Sequence, residues 1–283
     1  MGTHYLISLV QDRKYARSKH LYASIRLMND KLLALLFIAY IGISSIFFFF
    51  ISVLIYLISY PFDKKLSLLH LFTCFWSTSY LWIFPLWKLK VEGRDKISKD
   101  QTYIYVSNHQ SLVDILAAFS LFTHFKWVSK GELFTIPFIG WNMYLNRYVR
   151  LKRGKKSNTR RLYRACERHL KRGSSVYIFP EGSRSSLDQP RSFREGAFVL
   201  AKRHNIPILP IAILGTKDAL SNTWKSNHLS LENAKSAEND ILNRPKRASM
   251  EVKVLDPILP DEALSAQEMA QLARKQISQA LKV

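Results

Sequence analysis

The segment Asn108-His109-Gln110-Ser111-Leu112-Val113-Asp114 places an imidazole and a carboxylate five positions apart, where a β-rich run gives way to a helical pattern. The β-branched and aromatic run Thr102 to Ser107 stops at Asn108-His109. From Ser111 to Phe122 the apolar residues Leu112, Ile115, Leu116 and Phe119 then share one helical face. Asp114 therefore falls in the first helical turn, where its carboxylate can fold back on the His109 ring. A histidine held this way has a set tautomer and a stabilised cation, which suits a general base acting on an alcohol. Ser111-x-x-Asp114 has a second reading, as a capping box for the helix. One carboxylate has acceptor sites enough for both roles.

A second constellation is Phe179-Pro180-Glu181-Gly182-Ser183-Arg184-Ser185, again straight after a β-rich run, Ser175 to Phe179. Pro and Gly suit a tight turn, which would present one acid and one base at a strand end, the edge where open α/β sheets bind ligands. Two cations stand in similar places: Lys130 follows the strand predicted at 125–129, and Arg153 the one at 148–151. Such cations are placed to meet a phosphate, which Arg contacts bidentately; solvated surface charge is their alternative reading. Cys74 and Cys166 form no C-x-x-C and no metal-ligand spacing, so they read as two unpaired thiols. The chain also lacks H-E-x-x-H, an acidic calcium loop, G-x-G-x-x-G and a P-loop, so no metal site is expected.

The elements that must hold these groups alternate between strands and helices from residue 91 to 283, which predicts an α/β domain. A loop is expected over 131–140, around Pro137, and a basic helix over 157–171, ending at Gly173. Further elements are a helix over 193–204, a buried strand over 206–214, a last strand over 250–255 and a terminal amphipathic helix over 261–281. Residues 216–247 are polar and read as loop-rich.

Ahead of this domain, residues 1–31 form a basic segment and residues 32–90 read as a membrane anchor. Leu32 to Tyr60 is 29 residues without a charge, and a spanning helix needs roughly 20. A second uncharged run, Leu66 to Trp87, is interrupted by His70, Thr73 and three serine or threonine residues at 77–79, with Trp76, Trp82 and Trp87 spread along it. It reads as a helix returning toward the interface, where Trp and Tyr are favoured; a full second span is the alternative. Basic residues stand on both outer flanks, so the positive-inside rule places both on the cytoplasmic side and predicts a hairpin, or a pair dipping into one leaflet.

Lys and Arg outnumber Asp and Glu by 42 to 21, a formal charge of +21. A surface so positive attracts polyanions: nucleic acid, anionic lipid headgroups or phosphorylated substrates. The charge peaks from Arg147 to Arg172, with twelve Lys and Arg against the single acid Glu167. No nucleic-acid motif accompanies it, and the apolar anchor points instead to anionic lipid, so no nucleic-acid partner is expected.

The order of the blocks is itself informative. N-H-x-x-x-x-D, V-S-K-G-E-L-F-x-I-P-F-I-G, a hydrophobic-Arg segment, F-P-E-G-S-R-S and I-P-I-L-P-I-A-I together resemble the 1-acylglycerol-3-phosphate acyltransferase family over roughly residues 91–258. The two-part uncharged N-terminus is similar to that of bacterial members. The resemblance implies a mixed α/β sheet flanked by helices, preceded by a two-helix membrane anchor. It implies His109 as general base with Asp114 as its partner, and Glu181, Gly182 and Arg184 as a block holding the glycerol phosphate. Lys130 and Arg153 match basic positions for the acceptor phosphate, and Pro210 a proline linked to the acyl-donor side. Arg147 replaces the usual Gly before the hydrophobic-Arg segment, and Lys152 the usual acid before Arg153.

The implied reaction moves a fatty acyl group from acyl-CoA or acyl carrier protein, as co-substrate and with no cofactor, to the sn-2 hydroxyl of lysophosphatidic acid at the cytoplasmic membrane. His109 would take the hydroxyl proton and later protonate the leaving thiolate, with backbone N–H groups near Ser111 as candidate oxyanion donors. The rivals are acylation of a different lysophospholipid and a non-catalytic, basic, membrane-anchored binding protein.

Overall fold

The computed structural model describes residues 32–151, 156–185, 189–219 and 247–282. The basic 1–31 segment, Lys152, Arg153 and most of the polar 216–247 stretch therefore lie outside the described residues.

Seven strands form one sheet in the order β1-β7-β6-β2-β5-β3-β4. They are β1 (Trp87–Glu92), β2 (Ile104–Ser107), β3 (Phe125–Lys130), β4 (Val149–Leu151), β5 (Ser175–Ile178), β6 (Ile208–Leu214) and β7 (Ala248–Val254). All pairings are parallel except β6 with β7, so the sheet is mixed as expected. Strands covered on both faces need continuous apolar runs. The central strands comply: β2 is buried throughout, and β6 in all but its last residue.

Alternation within β2 feeds two cores. Tyr105 joins Tyr177, Trp127, Phe125 and Phe119 on one face, while Ile104 and Val106 join Val176, Phe198 and Met269 on the other. The first face is covered by α1 (Leu32–Ser59), α2 (Ser67–Ile83) and α3 (Val113–Phe119). The second is covered by α5 (Lys156–Lys171), α6 (Gly196–His204) and α8 (Ala266–Ala280). Cys74 lies in the first core and Cys166 in the second, so the sheet separates the two thiols. Two short helices complete the frame. A 3₁₀ turn at Gly131–Thr135 and α4 (Ile139–Leu145) occupy the expected loop, and α7 (Thr216–Ala219) follows β6.

The N-terminal helices depart from expectation in one respect. They form an antiparallel pair, with Phe37 against Phe84, Tyr40 against Tyr80 and Phe48 against Trp76. Among the described residues only α1 is long and apolar enough to cross a membrane, and just 17% of its most apolar window is buried. The second helix has 17 residues and stops before Pro85, which holds Phe84 extended. Its polar residues face the α/β domain. His70 bonds the Tyr148 hydroxyl at 2.8 Å and the Thr123 carbonyl at 3.0 Å, and Thr73 Oγ1 accepts from Asn142 and Asn146. Trp87, expected at the end of this run, instead opens β1. The second helix is thus part of the domain core as much as of an anchor.

Candidate active site

The C-terminal ends of β2, β3 and β5 converge on one cavity of about 220 Å³. His109 follows β2 directly, and its Nδ1 lies 2.8 Å from Asp114 Oδ2. That same oxygen accepts the backbone N–H groups of Gln110 at 2.6 Å and Ser111 at 2.8 Å, while Oδ1 accepts the hydroxyl of Thr216. One carboxylate thus meets both the imidazole and the N–H groups at the start of the helix. The capping box is only half made, because Ser111 Oγ accepts from Val113 rather than from Asp114. Asp114 is fully buried, and a buried carboxylate is tolerated when donors surround it.

Since Asp114 offers only acceptors to its neighbours, Nδ1 of His109 carries the proton and Nε2 is left as the basic nitrogen. The ring stacks on Phe179, with centroids 3.9 Å apart and planes 14° from parallel. Two long-range bonds hold its backbone. Glu181 Oε1 accepts the His109 N–H at 2.8 Å, and the His109 carbonyl accepts the Ser185 N–H at 2.8 Å. The Phe179–Ser185 turn and the histidine are in this way laced together.

Of the residues singled out in the sequence, His109, Lys130, Gly182 and Arg184 line the cavity. Burial draws the Arg184 guanidinium down to about 10, against the attraction of Asp114. Glu181 lies behind the cavity. Its second oxygen accepts the Arg191 N–H at 2.9 Å, so both oxygens serve backbone donors. Burial raises its pKa, and the Arg191 and His109 N–H groups oppose that rise. Pro210 is buried within β6 opposite Val106, outside the cavity lining, and its carbonyl accepts the Leu255 N–H. Arg153 lies outside the described residues. The Gln110 and Ser111 N–H groups, expected as oxyanion donors, are both taken by Asp114.

Other long-range contacts around the cavity had no local signal. Asn108 bridges to β6 through both atoms of its amide, donating to the Ile213 carbonyl at 2.8 Å and accepting its N–H at 2.9 Å. Arg194 also lines the cavity, and its guanidinium lies across Gly182. Gly182 has φ +71°, a conformation that favours glycine, and a Cβ there would stand 2.9 Å from Arg194 Cζ, so the guanidinium would have to shift. Cys166 reaches the cavity wall, but burial pushes its thiol up to about 12, unlike a reactive thiolate. Leu112, Ile115, Trp127, Ser129 and Leu133 are shared with a second, strongly apolar cavity of about 280 Å³, which continues to Phe37 and Ile41 of α1.

A strand-end cavity holding a histidine paired with a buried carboxylate, several cations and an adjoining apolar hollow is the kind of site an acyltransferase presents. Residues 88–214 match the family model described as Acyltransferase, and this part of the chain is an Acyltransferase-family domain. The chain is 34% identical over 193 residues to the chloroplastic 1-acyl-sn-glycerol-3-phosphate acyltransferase of Arabidopsis thaliana, covering 67% of this chain and 53% of that protein. It is 31% identical over 150 residues to the 1-acyl-sn-glycerol-3-phosphate acyltransferase of Salmonella typhimurium, covering 51% and 61% respectively. It thus spans about half the length of the curated relatives it matches. In fold it is similar to the crystal structure of the 1-acyl-sn-glycerophosphate acyltransferase PlsC from Thermotoga maritima. The TM-score is 0.65 and the identity 21%, over 92% of this chain and 96% of that one.

Proposed function

We propose that the protein transfers a fatty acyl group from a thioester donor, acyl-CoA or acyl carrier protein, to the free sn-2 hydroxyl of 1-acyl-glycerol 3-phosphate, forming phosphatidic acid. The observation that carries this reading is the 2.8 Å bond between His109 Nδ1 and Asp114 Oδ2 at the wall of a cationic cavity. Nε2 removes the hydroxyl proton as the alcohol oxygen attacks the thioester carbon. Asp114 stabilises the imidazolium that results, and the proton then passes to the departing thiolate as the C–S bond breaks. General-base assistance of this kind contributes about 10²–10⁴-fold. Lys130, Arg184 and Arg194 supply positive charge for the acceptor phosphate, with Arg153 as a further candidate. The apolar cavity beneath takes an acyl chain.

Membrane attachment through α1, with the catalytic domain on the cytoplasmic side, belongs to the same proposal. It is supported by the exposed apolar face of α1, where Leu36, Ile43, Phe47, Phe50 and Leu57 are all exposed. The test is mass-spectrometric analysis of products formed by full-length protein from a panel of lysolipids with both donor types. Phosphatidic acid from lysophosphatidic acid is the expected main product. A phosphodiester lysolipid acylated in preference would move the assignment to another acceptor, and no turnover with any pair would leave a binding protein.

A further inference from the structure

A second cationic recess lies at the other end of the parallel strands from the active-site cavity. Arg147 precedes β4, the edge strand of the sheet; Arg161, Arg164 and Arg168 follow one another along α5 at spacings of three and four residues, and Arg172 stands just past its end. That spacing puts the three helical side chains on one face, where like charges weaken an isolated helix. Together with His169 they line a groove of about 560 Å³ in which no carboxylate takes part among the described residues. Glu167, on the same helix, is turned away to Arg203 and His204. A smaller recess shares Arg147, His169 and Arg172 with the groove and is lined as well by Lys126, a residue 1% exposed whose ammonium donates to the Asn146 carbonyl at 2.9 Å. So many cations converging on one hollow need counter-charge, and the size matches the roughly 300–1,000 Å³ of ligand sites.

The location indicates where that charge comes from. Arg147 donates to the Tyr60 hydroxyl at 2.9 Å, and its guanidinium lies 4.9 Å from the Tyr60 ring centroid. Lys64 covers the same ring at 4.2 Å, and Tyr56 stacks on it at 5.2 Å. Tyr60 directly follows the last residue of α1, and Leu57, Ile58 and Phe62 around it are 64%, 63% and 90% exposed. Exposed apolar residues ending in stacked tyrosines, then lysines, are the sequence of environments from hydrocarbon to headgroup. We infer that the groove between β4 and α5 binds the phosphate-bearing headgroup of an anionic phospholipid at the bilayer surface, as a second lipid site separate from the catalytic cavity. This rests on the membrane attachment of α1 but not on the acyl-transfer reading.

The test uses full-length protein in a neutral detergent and reads its melting temperature, not its turnover. Short-chain dioctanoyl phosphatidylglycerol, at about 100 times its half-saturating concentration, should raise the melting temperature by roughly 5–10 °C. Dioctanoyl phosphatidylcholine at the same concentration should not. Arg161→Gln with Arg164→Gln and Arg168→Gln should abolish most of the rise. Lys275→Gln with Lys282→Gln, which removes exposed charge from α8 and the residues after it, should keep it. The rise should also persist in Arg184→Gln, which separates the groove from the catalytic cavity. An equal rise in the triple variant, or with phosphatidylcholine, overturns the proposal. So does the full rise with inorganic phosphate alone, or a rise with an acidic carrier protein and none with phosphatidylglycerol.

Discussion

Glu181 accepts the backbone N–H of His109 at 2.8 Å with one carboxylate oxygen and that of Arg191 at 2.9 Å with the other. Both oxygens of an acid expected to meet the substrate are thus taken by backbone donors, one of them 72 residues away at the histidine, an arrangement suited to positioning His109. Glu181→Gln keeps one acceptor and turns a donor toward the other N–H. It should lower kcat about tenfold, equivalent to ~1.4 kcal/mol, with the acceptor KM nearly unchanged. A rise in acceptor KM at constant kcat would instead indicate direct contact with the glycerol.

His109→Ala should reduce turnover by about 10²–10⁴-fold, while the protein still folds and stays in the membrane fraction. Asp114→Asn should be comparably severe and also less stable. Four groups donate to this carboxylate, and an amide cannot accept from all of them. Steady-state kinetics with a thermal melt on the same preparations separates the two effects. Near-normal turnover in folded His109→Ala would end the mechanism.

Gly182→Ala tests the turn. The left-handed backbone opposes a side chain, at a cost of about 1–3 kcal/mol, and a methyl group would push the Arg194 guanidinium aside. A lower melting temperature and weakened acceptor binding are expected together. Arg194→Ala should weaken acceptor binding without the stability loss.

The pH dependence of stability has a definite sign. Burial lowers Lys126 to about 7, His169 to about 4 and His124 to about 3, each below its ordinary value. For all three the unfolded chain binds the proton more tightly, so stability rises with pH wherever the folded group is neutral and the unfolded one charged. The histidine contribution is lost as pH falls from about 6.5 toward 4, and the Lys126 penalty is relieved between about 7 and 10.5. Lys126→Met should therefore raise the melting temperature more at pH 6 than at pH 9.5. A gain independent of pH would show that Lys126 titrates normally in the folded protein.

Much of this protein follows from local sequence. His109 and Asp114 are five residues apart across a strand–helix junction, and that junction alone brings carboxylate to imidazole, because the first helical turn curls back over the strand end. Strands β2 to β7 appear where strands are expected, whereas β1 begins inside the stretch read as anchor, and 29 uncharged residues suffice to mark the apolar helix. The tertiary structure decided what depends on partners distant in the chain. Thr216 reaches Asp114 across 102 residues, Asn108 reaches Ile213 across 105, and Arg147 is held by Tyr60 across 87. No periodicity encodes such pairings. It also decided the place of α2, because lipid and a protein core are both apolar and a hydrophobic run reads the same against either. The packing of its inner face into the core, with the bonds of His70 to Tyr148 and Thr123 and of Thr73 to Asn142 and Asn146, shows that this helix is built into the domain.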